Sequence, residues 1–124
     1  MTWSTLSLAI AGGLGVVARH TVQRLVPRTG AVPWGTFIVN VSGALVMGLL
    51  LSVLARRFTA PMWVQEALFV GLLGGYTTFS ALSAETFLLL EQRHFWAAIA
   101  YSIGSLVAGL VAVSVGLSVG RLLA

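Results

Sequence analysis

The chain contains no cysteine, no lysine and no aspartate. Without cysteine there is no disulfide framework and no thiolate metal site. Charge is scarce as a whole: 8% of 124 residues, against roughly 25% in a soluble domain. A chain this poor in charge does not cover a water-facing surface. With 58% hydrophobic residues and a mean hydropathy of +0.99, its solvent is read as lipid. The net charge of +4 comes from seven arginines against three glutamates. Nucleic-acid binding is excluded, because it needs cations clustered on a polar face and these arginines are scattered at the ends of apolar runs. No nucleotide-binding motif, paired carboxylates or metal-ligand histidines mark an enzyme, and His20 and His94 sit at run ends.

A helix crossing the hydrocarbon needs about 20 largely apolar residues. Four runs qualify, at about 3–25, 33–55, 62–90 and 95–120. Short separators with breakers or charges divide them: Arg24 to Pro33, Arg56 to Pro61, and Glu91 to His94. The expected fold is a single all-α membrane domain spanning residues 1–124, with four transmembrane helices. The first run is not a cleaved signal, since its cations Arg19 and Arg24 come late. Trp3, Trp34, Trp63 and Trp96 each open a run, where an amphipathic ring suits the headgroup layer. Pro33 and Pro61 also sit at run starts, where a missing N–H costs little.

Four spans place both termini on one side. That side holds Arg56, Arg57 and Arg121, and the other holds Arg24, Arg28 and Arg93, with Arg19 as a fourth. The positive-inside bias is therefore close to nil. This points to dual topology: one chain inserting both ways and pairing with an inverted copy, as in the inverted repeats of larger transporters. Small residues spaced by four in the last run, Gly104, Ala108, Ala112, Gly116 and Gly120, predict one close helix–helix ridge. Ala11 and Gly15, and Ala44 and Gly48, offer shorter ones.

The stretch Gly71 to Glu85, GLLGGYTTFSALSAE, is the most unusual. Adjacent glycines followed by Tyr, Thr and Thr weaken a helix at membrane depth. Such a break persists only where protein surrounds it or an aqueous cavity meets it. The third helix is therefore expected to be broken near its middle, freeing carbonyls around Gly74 to Thr77. Carbonyl oxygens are hard ligands suited to a small hard cation. Two copies across a two-fold axis would complete such a set, and a sodium ion there would serve structure. Asn40, well inside the second span, offers two N–H donors, with Thr36 one turn earlier. Thr77, Thr78, Ser80, Ser83, Glu85 and Thr86 crowd the third span, and Tyr101, Ser102 and Ser105 follow in the fourth. Some of these hydroxyls bond to carbonyls one turn back. Together the donors, without central cations or clustered carboxylates, suit a small anion. Phe79 fits, because ring edges carry positive quadrupole charge. Glu85 is either protonated or held by a cation such as Arg19, which itself snorkels to the interface or draws anions into a vestibule.

GGLGVVARH (12–20), PWGTFIVNVSGALVMG (33–48) and GLLGGYTTFSALSAE (71–85) together resemble the Fluc, or CrcB-type, fluoride channels. The resemblance covers three of the four spans in order. It implies an antiparallel dual-topology homodimer with two fluoride pores in a bacterial inner membrane. It implies that Asn40 is the pore asparagine, that Arg19 lies near an entrance, and that Phe79 flanks fluoride with its ring edge. It implies that the carbonyls of Gly74 and Thr77, from both subunits, hold a structural sodium ion. Thr78, Ser80, Tyr101 and Ser105 resemble the polar track. One position departs: the family's second phenylalanine is Leu82 here, which lacks a quadrupole edge. That departure leaves open a pair of related, distinct subunits, although the balanced arginines argue against it. Two rivals remain: a small multidrug-type antiporter, which expects an acid in the first span where none stands, and a non-conducting subunit, which leaves Asn40 without a purpose.

Overall fold

The computed structural model describes residues 2–56 and 59–124; Arg57, counted among the loop arginines, lies outside them. Four long apolar helices form the molecule. Helix α1 covers Trp3–Leu25 and α2 covers Trp34–Arg56. The third span, Met62–Glu91, is composite. It starts as α3 (Met62–Gln65), widens into a π-helical segment (Glu66–Leu73), tightens into α4 (Gly74–Tyr76), and restarts as α5 (Phe79–Glu91). Helix α6 covers Phe95–Leu123, running past residue 120 where the apolar pattern predicts its end.

The helix ends follow their local chemistry. The Thr2 hydroxyl accepts the Thr5 N–H and caps α1. Arg24, Arg56 and Arg121 lie in the last turns of α1, α2 and α6, where cations oppose the negative end of the helix dipole. All four tryptophans are exposed at helix starts, as headgroup anchoring requires.

Two parallel helix pairs make up the bundle, and glycine sets both contacts. In the first pair, α1 lies along the first half of the third span. A Cβ on Gly15 would stand 2.2 Å from the Leu72 carbonyl oxygen, and one on Gly75 would stand 2.5 Å from that of Gly12. The Ser4 hydroxyl donates to the Glu66 carboxylate at the same end of both helices. In the second pair, α2 lies along α6. A Cβ on Gly48 would meet the Val113 carbonyl oxygen at 2.2 Å, and one on Gly116 would meet that of Leu45 at 2.2 Å. Helix backbones this close gain dispersion that larger side chains would prevent.

The predicted ridge on α6 is thereby split. Ala112, Gly116 and Gly120 are buried against α2. Gly104 has nothing within 4 Å of its virtual Cβ, because a spacing of four drifts off the buried face, which continues through Ser105, Tyr101 and Ala98 instead. The glycines Gly74 and Gly75 also depart from expectation: both are helical, and Gly75 serves packing against Gly12. The chain breaks just after them.

These contacts predict opposite outcomes for two similar substitutions. Gly48→Ala forces backbone apart and destabilises the subunit by about 1–3 kcal/mol. Gly104→Ala leaves subunit stability unchanged or slightly raised. Thermal unfolding in detergent compares the two.

Candidate functional site

Two residues interrupt the third span. Thr77 (φ −82°, ψ 156°) and Thr78 (φ −150°, ψ 114°) are extended, and their peptide groups leave the helical ladder at membrane depth. The Thr78 N–H, which would bond the Gly74 carbonyl in a continuous helix, donates to Asn40 Oδ1 at 2.8 Å. Asn40 Nδ2 donates back to the Thr78 carbonyl at 3.1 Å. One side-chain amide thus pairs with both polar groups of one peptide residue, as a neighbouring strand would. The Ala81 N–H, which would bond the Thr77 carbonyl, goes instead to Thr78 Oγ1 at 3.1 Å, so Thr78 caps α5. The carbonyls of Gly74 and Thr77 are thus released from the helix pattern. Thr77 Oγ1 donates to the Leu73 carbonyl at 2.8 Å and closes the last turn before the break.

Helix α2 is shaped to receive the break. A Cβ on Gly43 would stand 2.3 Å from Thr77 Cγ2 and 3.2 Å from the Tyr76 ring, so only glycine allows this approach. Ser42 Oγ donates to Val39 O at 3.1 Å and is 2.9 Å from the Tyr76 hydroxyl. Within one turn and a half of α2, Asn40 clamps the break, Ser42 holds the tyrosine before it, and Gly43 makes the room.

Two hollows meet at the break. A groove of about 710 Å³ runs between α2, α5 and α6, with Asn40, Thr78, Phe79, Leu82 and Ser105 in its wall. A vestibule of about 500 Å³ opens on the other side, lined by Arg19, His20 and Gln23 of α1 and by Thr78, Ser80 and Ala81. Thr78 belongs to both, so the broken segment is the wall between them. Phe79 is 81% exposed, so nothing within the subunit covers its ring. Ser105 is buried, and its hydroxyl has no partner among the described residues. Ser83, Thr86 and Ser102 donate to carbonyls one turn back, at 3.0, 2.7 and 2.8 Å, which is ordinary helix self-satisfaction. Leu82 lines the groove and also packs on the Leu89–Ala98–Tyr101 core. Thr78 Oγ1 and Ser80 Oγ lie 3.3 Å apart.

A separate polar network lies behind the vestibule. Thr36, 2% exposed, donates to Glu85 Oε1 at 2.8 Å, and the Tyr101 hydroxyl donates to Oε2 at 2.5 Å. Gln23 Nε2 donates to Thr36 Oγ1 at 3.1 Å. Of the two expectations for Glu85, protonation or a cation such as Arg19, the second is not met: two hydroxyls bond the carboxyl group, and Arg19 faces the vestibule. Tyr101 and Ser105, named together as polar-track positions, are both buried on α6 but have different surroundings. Ser105 lines the groove, whereas the Tyr101 hydroxyl reaches the carboxylate. Thr36, one turn before Asn40, belongs to this network too. Sequence reading missed Gln23 and the Ser42–Tyr76 contact; the only signal was an uncharged amide late in an apolar span.

These features define a class: a small multi-pass α-helical membrane protein whose interior polar groups border open hollows at a helix break. The chain belongs to the CrcB-like protein family, described as "CrcB-like protein, Camphor Resistance (CrcB)", which it matches over residues 6–117. It is 42% identical over 118 residues to a fluoride-specific ion channel FluC 2 of Nitrobacter hamburgensis, covering 94% of this chain and 95% of the relative. It is 43% identical to a fluoride-specific ion channel FluC of Methylobacterium nodulans over 119 residues, or 95% and 96% of the two chains. A FluC of Chloroflexus aurantiacus is 42% identical over 118 residues, 94% of each chain.

The clamp carries a testable cost. Asn40→Ala strips partners from the Thr78 N–H and C=O, and each unpaired group costs about 1–3 kcal/mol. The expected result is a lowered unfolding temperature, together with selectively faster amide hydrogen exchange at Thr78.

Proposed function

We propose that the protein is a passive fluoride-selective channel of the bacterial inner membrane that exports cytoplasmic fluoride and so confers fluoride resistance. It is a transport protein rather than an enzyme. The observation that carries the reading is the broken third span: Thr78 borders both hollows and Asn40 presents an amide beside it. Near-full-length likeness to proteins named fluoride-specific channels supports the choice of ion. The physiology follows from weak-acid chemistry. Hydrogen fluoride crosses lipid neutral, ionises at neutral pH and is trapped inside as the anion. A selective pore lets the inside-negative potential expel it, at about 2.3 kcal/mol per charge per 100 mV.

In this reading fluoride enters from the vestibule beside Arg19, passes Thr78 and Ser80 at the start of α5, and meets Asn40 and the edge of Phe79. One Asn40 N–H is engaged by the Thr78 carbonyl, so the second is the donor left for an anion. Ser105 stands in the groove wall with its hydroxyl buried and unengaged in the single subunit, and it is proposed as the next donor. Tyr101 acts through Glu85 rather than on the groove face. Leu82 stands where a second ring edge is expected, so Phe79 carries that station alone.

The groove also argues for a partner. Free donors and released carbonyls do not face hydrocarbon without loss. A second copy of the chain, inverted to match the balanced arginines, covers the groove and encloses a polar path, giving two antiparallel pores. The carbonyls of Gly74 and Thr77 fit a sodium ion: they are hard oxygens released from the helix, Gly74 is exposed and Thr77 lines the groove. Two subunits together would supply four such oxygens, and the ion would contribute the positive charge that pins their dipoles together.

Liposomes containing only this polypeptide should release fluoride in preference to chloride without a proton gradient. Asn40→Asp removes the donor and adds negative charge, and it lowers fluoride efflux more than tenfold; unaltered efflux would take Asn40 out of the path. Gly74→Ala separates the subunit from the assembly. Within the subunit its Cβ meets only the Phe69 carbonyl at 3.7 Å, an ordinary contact. Chemical cross-linking in detergent should therefore show a weakened dimer with diminished sodium dependence, while the subunit's helix content stays intact.

A further inference from the structure

Among the described residues, Gln23 is the one that both lines the vestibule and bonds to the network around Glu85. Glu85 is the acid set deepest in the spans, and it lines neither hollow. It follows Ala81 by one helical turn on α5, and Ala81 is part of the vestibule wall. A carboxylate thus lies one turn along α5 from an anion's entrance, and Gln23 links the two through Thr36. Arg19 and His20 of α1 face the same hollow. Among the described residues, α2 presents only the neutral Thr36 to this network and α6 only Tyr101.

The hydrogen bonds run in one direction. Gln23 Nε2 donates to Thr36 Oγ1, Thr36 donates to Glu85 Oε1, and Tyr101 donates to Oε2. A threonine hydroxyl has a single proton. With the Gln23 N–H occupying the oxygen, that proton is turned toward Glu85. Both carboxylate oxygens then accept hydrogen bonds from buried hydroxyls. Gly35 permits this: a Cβ there would stand 3.2 Å from Gln23 Cα and 3.4 Å from its Cγ, so the bare backbone lets α1 come near enough for the amide to reach Thr36.

We propose that Gln23 is a positioning residue for anion entrance. It shields the Glu85 charge from the vestibule by closing the wall between them and by orienting the Thr36 hydroxyl onto the carboxylate. This rests on the channel reading above. Without the amide, Thr36 turns freely, Glu85 is less well engaged, and its negative charge acts on the route that Arg19 makes attractive to anions. Charge at the wall of a narrow, low-dielectric cleft changes local ion concentration by a factor of ten or more.

Gln23→Met keeps the length and bulk of the side chain and removes the donor. In liposomes at about 20 mM ionic strength, fluoride efflux should fall roughly tenfold relative to wild type. At about 300 mM of an impermeant salt the deficit should shrink to less than about threefold, because the Debye length contracts. In a Glu85→Gln background, Gln23→Met should change efflux by less than about twofold. If Gln23→Met does not fold, Thr36→Val breaks the same relay at its middle and should show the same salt-sensitive loss. Equal efflux from Gln23→Met and wild type overturns the proposal and leaves the channel reading intact. So does a deficit that ignores salt and persists in the Glu85→Gln background, since packing alone would then explain it. A wild type that passes no fluoride overturns the channel reading and this proposal with it.

Discussion

The structure depends on one side-chain amide reaching across to a peptide group that has left its helix. A membrane interior offers no water to loose N–H and C=O groups. An extended pair at Thr77–Thr78 is therefore stable only if something pairs with it, and Asn40 does so reciprocally. Everything peculiar about the molecule follows from that bond. The break releases the carbonyls before it, starts a fresh helix N-terminus at Phe79, and leaves Thr78 as the partition between two hollows. The clamp also uses part of Asn40's own donor capacity, so one residue serves both the fold and the proposed path.

Close packing is what makes the amide's reach possible. Gly43 admits Thr77 and Tyr76 against α2, while Gly15, Gly71 and Gly75 admit the first half of the third span against α1. The two parallel pairs are thus each drawn together by bare backbone, and the broken segment lies where they meet. In lipid there is no hydrophobic gain from joining two apolar helices. Contact between backbones supplies the attraction, which is why a chain so rich in leucine and valine uses glycine at its tightest crossings. The third span's π-helical segment sits along the same contact, and wide turns of this kind are common near functional sites.

Much of this was legible in the residue order. Span number and bounds followed from hydropathy, and the tryptophans and arginines marked the ends. A break in the third span was readable because Gly-Gly-Tyr-Thr-Thr has weak helix preference. Its position was not: the glycines remain helical, and the interruption falls on two threonines, because Asn40 and Gly43 are placed to accept the peptide there and nowhere earlier. The partners of Glu85 were illegible for a similar reason. A lone acid in an apolar span signals that it needs partners, and charge made Arg19 the natural choice. The crossing of α1, α2, α5 and α6 brings hydroxyls instead. Tyr101 and Ser105 share a helix face by spacing, yet neighbouring helices divide them between two surroundings.

Composition and periodicity by themselves determined solvent, span count and the need for a guarded break. These depend on transfer energies summed over many residues, which hardly change with the details of packing. Tertiary structure alone decided which peptide unwinds, which donors remain free, and which carboxylate oxygen meets which hydroxyl. A hydrogen bond needs its partners within about 3 Å, and residues far apart in sequence attain that only after the glycines have let the helices close.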